Sequence, residues 1–281
     1  NGVTLNVDMT LETAAQVTVL NNLIANGTVT LYRDSVAVRS SSSVYHVGLN
    51  FSGGQQTLGG TGEVVFGGTN YSNRDSEAGS RWVRPIDGGQ LTIGPNMTIR
   101  TGTSGGMVGL SSLPLINQGT ISAQTSGQRL NVTGTGSSST GVLEARNGSY
   151  MNVSGAWNGV SSLAADGATL RTSGTWENVS TLRATNGASM VIIGRFDHAS
   201  QAMTVDGVSG LIYLAGVTLK DTTLNGPSGS EVTMASGTLN GVTLNVDMTL
   251  ETAAQVTVLN NLIANGTVTL YRDSVAVRSS S

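Results

Sequence analysis

The chain has 281 residues, 38 of them glycine and none cysteine; 11% are charged, 4% are aromatic and the net charge is −3. Thirteen of the 14 cations are arginine, Lys220 is the only lysine and no basic stripe exists, which argues against nucleic-acid binding. Without cysteine there are no disulfides or thiolate metal sites, and no apolar run is long enough to span a bilayer, so no membrane insertion by this segment is expected.

In chain order, residues 1–42 read as short strands: "VTLNV", "VTVL" and "TVTLY" alternate apolar with polar residues and are rich in Val and Thr. "LETAAQVTVLNNLIA" (11–25) is the best helical candidate, but its Thr, Val and Asn are poor helix formers, so it reads equally well as turn plus strand. "QTLGGTGEVVFGG" (56–68) has the same strand vocabulary. "NRDSEAGSRWVRPIDGG" (73–89) is the most charged stretch and breaks the rhythm, so a loop excursion near 69–89 is expected. "QLTIGPNMTIRTG" (90–102) and "LINQGTISAQTSGQRLNVTG" (115–134) return to strands.

From residue 143 a fine repeat is plain. Segments starting at Leu143, Leu163 and Leu182 align, with turn pairs Asn147-Gly148, Asp166-Gly167, Asn186-Gly187 and Asp206-Gly207 at spacings of 19, 20 and 20. Asn-Gly and Asp-Gly reach positive φ at little steric cost and mark corners. A second glycine keeps step at Gly155, Gly174 and Gly194, and a large ring at Trp157, Trp176 and Phe196. Residues of one type recurring every ~20 positions in one direction imply stacked parallel coils. The predicted fold is an all-β, single-stranded parallel β-helix with coils of about 19–22 residues, right-handed by the usual crossover preference. The rings then form a column, as do Val160 with Val179; farther on, Leu219 falls over Leu239 and Leu224 over Leu244.

A coarse repeat encloses the fine one: residues 1–42 and 240–281 are identical. The favoured reading is one 239-residue solenoid repeat (1–239) followed by the first coils of the next (240–281); an added duplicate cap is the alternative. At ~20 residues per coil the period predicts about twelve coils, and ~58 Å of axial advance at ~4.8 Å per coil. Both ends fall inside a coil, so a missing leader peptide carries little weight.

These strings, together with "LEARNGSYMNVSGAWNG" (143–159), resemble bacterial surface β-helices of the filamentous-haemagglutinin and autotransporter-passenger type. The resemblance covers most of the chain. It implies a secreted or surface-displayed shaft of a Gram-negative bacterium, used as adhesin, filament or sheath, with no shared catalytic residues. The partners it suggests are neighbouring copies end to end, lateral self-association or surface glycans.

Candidate sites are few. Arg74, Asp75, Glu77, Arg81, Trp82 and Arg84 form a possible contact loop, in which the tryptophan flanked by arginines suits a sugar or a neighbouring chain, although a solvated loop with local ion pairs is the simpler reading. An exposed Trp157/Trp176/Phe196 strip would also suit a sugar, although a buried ladder is the simpler reading. His46 and His198 are the only histidines, with no metal-ligand spacing, and no catalytic serine signature or cofactor motif occurs. The alternative to a structural role is a carbohydrate-binding or polysaccharide-degrading β-helix, whose only candidate carboxylates and cations gather at Asp75, Glu77, Asp87, Arg81 and Arg84.

Overall fold

The computed structural model describes residues 2–34, 46–69 and 80–272. It is a parallel β-solenoid of about twelve turns, with no helix among the described residues. Each coil contributes one strand to each of three faces. The first face stacks Val3–Leu5, Leu23–Ala25, Gln55–Gly59, Gln90–Ile93 and Leu115–Asn117. The second stacks Met9–Leu11, Thr28–Arg33, Glu63–Gly68 and Thr98–Thr101, and continues to Ala202–Asp206. The third stacks Gln16–Val19, Val47–Ser52, Arg81–Ile86 and Gly106–Gly109, then the first halves of longer strands such as Tyr150–Val160.

The alternation seen in the sequence sets the inside. In Tyr150–Val160, Met151, Val153, Trp157 and Val160 are buried while their neighbours are not. A pleated strand sends successive side chains to opposite sides, so Met151, Val153 and Trp157 enter the lumen, and Gly159, with φ of 73°, shifts the phase so that Val160 enters too. One continuous apolar core results, running from Leu11 to Met248. Leu143 lies under Leu163 and Leu163 under Leu182; Val160 lies under Val179, Leu219 under Leu239 and Leu224 under Leu244.

Two findings differ from the spacing argument. Leu23 pairs with Leu58, and Gln55 with Gln90, each 35 residues on, so two early coils are far longer than 19–22 residues. Further, the two identical copies sit on different faces. Val3–Leu5 belongs to the first face, yet its counterpart 242–244 stacks on 222–224 and so on Ala202–Asp206, the second face. Met9–Leu11 is on the second face, yet 248–250 stacks on 231–234, which continues the third. The 239-residue period therefore spans ten coils plus one face, not about twelve. Insertions after Arg33 and Gly68 consume the residues that the even spacing had assigned to extra coils.

Within each copy the pairing is the same. Val3 faces Leu23 as Val242 faces Leu262, and Met9 faces Val29 as Met248 faces Val268. Asn26 donates to Asn6 at 2.7 Å, and Asn265 to Asn245 at 2.7 Å. The amide of Thr28 donates to Asp8 at 2.7 Å, and that of Thr267 to Asp247 at 2.7 Å. These pairings, shared by residues 2–33 and 241–272, are thus repeated one face apart.

Candidate functional site

The charged stretch divides. Arg74, Asp75 and Glu77 lie outside the described residues. Arg81, Trp82 and Arg84 are not in a projecting loop: they belong to the strand Arg81–Ile86, and Arg81 and Trp82 are only 0% and 4% exposed. The Arg81 guanidinium donates to the carbonyls of Gly67 at 2.7 Å, Thr69 at 3.1 Å and Arg33 at 3.2 Å. A charge can be buried where carbonyl oxygens replace its water, and the carbonyls bordering the two insertions do so. Trp82 lies over Gly48, where any side chain would collide with the indole. Its Nε1–H donates to Asn50 Oδ1 at 2.9 Å, and Arg84 Nε donates to the same oxygen at 3.1 Å. The Arg84 guanidinium stands 4.0 Å above the indole, and His46 packs beside it at 4.9 Å between ring centres. Burial, then Arg33 and Arg84, hold His46 below the usual histidine range. Covered in this way, the indole has no open face for a sugar. The cluster instead packs the solenoid at the point where its rhythm is interrupted.

The aromatic column is stacked and inside. Trp157 and Trp176 lie 5.9 Å apart and 8° from parallel; Trp176 and Phe196 lie 5.6 Å apart and 10° from parallel. His198, fully buried, stacks on Phe196, and its Nε2 lies 3.2 Å from the amide nitrogen and 3.1 Å from the carbonyl oxygen of Val179. Burial of these rings likewise removes them as a sugar-stacking strip.

The corner column holds over three rungs. Gly148, Gly167 and Gly187 have φ of 71°, 54° and 71°; Gly148 N–H donates to Gly167 O at 2.7 Å, and Asn186 Nδ2 donates to Asp166 Oδ1. The fourth rung departs. Asp206 pairs with Arg183 rather than Asn186, and Gly187 N–H donates instead to Ser209 O at 2.7 Å. Thr181 pairs with Thr204, so extra residues in that coil leave Asp206-Gly207 short of the corner, which Ser209 takes instead.

On the outside, Asp197 joins two cations, Lys220 Nζ at 2.9 Å and Arg195 Nη2 at 3.0 Å. Lys220 first, then Arg195, lower its pKa from 3.8 to about 2. A depressed carboxylate stabilises the fold above its ordinary pKa and loses that contribution as pH falls through the folded value. His198, lowered chiefly by burial, acts in a higher window: its contribution is full above pH 6.5 and is lost as pH drops toward the folded value. Acid titration followed by tryptophan fluorescence is expected to show two losses, the first reduced by His198→Phe, with His46 supplying the remainder, and the second, from pH 3.8 to about 2, reduced by Asp197→Asn. A single loss unchanged by either substitution would refute both assignments.

The sequence reading missed an open polar shelf on the third face. Met107, Asn131, Asn152 and Arg171 stack coil over coil, flanked by Thr133, Ser154 and Ser173. Asn152 Nδ2 donates to Asn131 Oδ1 at 3.0 Å, Ser154 to Thr133 at 3.1 Å, and the Arg129 guanidinium lies 5.6 Å from the Tyr150 ring centre. The echo of "RLNVTG" in "YMNVSG" was the available signal. Amides, hydroxyls and guanidinium groups arrayed along the axis have the chemistry to hydrogen-bond an extended polar polymer. Among the described residues, no group of three or more His, Asp or Glu is placed to hold a metal ion, and no helix is long and apolar enough to cross a membrane. Comparison of the chain with family models, curated proteins and solved structures gives no match.

Proposed function

We propose that this chain is a structural segment of a tandemly repeated extracellular shaft (fibre, adhesin or sheath) on a bacterial cell surface. The observation carrying the proposal is the junction at residue 240. There the second copy enters the stack without a linker and repeats the first copy's pairing, while the coil beneath it continues the same core. A solenoid that accepts its own beginning as its next coil can be extended indefinitely by repetition. Its contacts serve stacking: ring on ring, asparagine on asparagine, and a bidentate Arg100–Glu63 pair joining adjacent coils. The bacterial surface setting rests on the resemblance of the repeat strings.

Ten coils plus one face, at ~4.8 Å per coil, give an axial period of about 50 Å, shorter than an even 20-residue spacing implies. Electron microscopy of the native material is expected to show rods with that period. Compact isolated particles would overturn the shaft.

A further inference from the structure

Asn131, Asn152 and Arg171 point away from the lumen, because Val132, Val153 and Thr172 beside them fill it. Thr133, Ser154 and Ser173 stack in the next outward column, and beyond them the column of Gly134, Gly155 and Gly174 projects no side chain. The open hollow over these residues, reached also by Met107 and Arg129, holds about 490 Å³. That volume suits a short stretch of a polymer. Its charge is one-sided. Two arginines line it and no described carboxylate does, in a chain whose net charge is −3. The acids of the same coils lie elsewhere: Glu144 on the second face, Asp166 at the corner and Glu177 after the bend at Gly174. Arg129 is held over the Tyr150 ring. Asn131 gives its Oδ1 to Asn152, so its own amide N–H groups, like the exposed Arg171 guanidinium, have no partner among the described residues.

We infer that this hollow binds an anionic polysaccharide, the sugar chain lying along the solenoid axis with its acidic groups on Arg171 and Arg129. The strands beneath are paired with coils on both sides, so a peptide finds no free edge to extend. Nucleic acid carries a phosphate at every step and calls for more cations than two. A glycan fits the spacing. Coils repeat at ~4.8 Å, close to the rise of one sugar in an extended chain, so each coil meets one sugar. Arg129 and Arg171 stand two coils apart, about 10 Å, which matches acidic groups on alternate sugars. The amides and hydroxyls of Asn131, Asn152, Thr133 and Ser154 lie between them, where the sugar hydroxyls would run. Charge-assisted bonds from guanidinium to carboxylate supply the selectivity, since they are stronger than bonds between neutral groups. The inference needs only the stacked coils and stands or falls apart from the tandem shaft.

The test measures binding of the full chain to immobilised hyaluronan, which carries a carboxylate on every second sugar, and to the same polymer with its carboxylates reduced to alcohols. The chain is expected to bind the first and not the second. Arg171→Gln should weaken binding about tenfold, the worth of one hydrogen bond to a charged group. Arg171→Lys keeps the charge and should recover part of that loss. Arg183→Gln is the control: it removes the same charge from the second face, where Arg183 pairs with Asp206, and should bind as the unchanged chain does. Arg171 is exposed, so its variants should keep the fold, and circular dichroism checks that they do. Absence of binding to hyaluronan, equal binding to the reduced polymer, or equal losses for Arg171→Gln and Arg183→Gln would each overturn the inference.

Discussion

Replacing Gly174 by valine is expected to cost about 3–5 kcal/mol, enough to remove a large share of the stability of an ordinary domain. Gly174 has φ of +103°, where β-branched residues are strained, and an added Cβ would lie against the carbonyl of Gly155 in the neighbouring coil. Gly194 stands in the same relation to Gly174, so the three glycines form a column of backbone in contact with backbone. No rotamer relieves a clash between a Cβ and a main-chain oxygen. The coils would have to part at the place where the aromatic column needs them together. Gly187 is the control: its φ of +71° is within asparagine's reach, and nothing lies within 4 Å of the place a Cβ would take. Gly187→Asn should therefore cost less than about 1 kcal/mol. Urea denaturation followed by circular dichroism decides the matter, and equal losses for the two variants would refute the backbone-contact argument.

Trp176→Ala is expected to be comparably severe, about 3–5 kcal/mol. The indole is fully buried between two rings, so its removal leaves a void that neither Trp157 nor Phe196 can fill without leaving its own coil. The two tryptophans should separate under a milder change. Trp157 Nε1–H donates to Ser154 O at 2.8 Å, whereas Trp176 Nε1–H has no partner among the described residues. Phenylalanine at 157 forfeits a bond as well as volume. At 176 it removes an unsatisfied donor, offsetting part of the lost packing. Trp176→Phe should thus be the milder of the two by about 1 kcal/mol, read from paired melts; the reverse order would mean that the orphaned donor carries no penalty.

The middle of the chain was legible because its corners are chemical. Asn147-Gly148 and Asn186-Gly187 require positive φ, and between them Met151, Val153, Met190 and Ile192 alternate with polar residues at a strand's period. The same logic places Leu219 under Leu239, where the structure has it. The first third was less legible, since insertions after Arg33 and Gly68 erase the spacing on which alignment depends. Arg81 misled for a different reason. Composition reports a charge but not the three carbonyls that solvate it, and these become neighbours only when the coils stack. The step of one face between the two copies could not be read from residue counts, because a repeat identical in letters carries no record of its angular position.

That step has a geometric consequence for any shaft in which the 239-residue period continues. Each repeat turns its surface features to the next flank, so the polar shelf of Asn131 and Asn152 would wind around the rod as a slow screw. A given flank would meet the same shelf again only after three periods, about 31 coils or about 150 Å. Two such rods laid side by side could not zip together along one seam. They would touch at widely spaced, symmetry-related stations, and a rod approached from any side would offer the same grip.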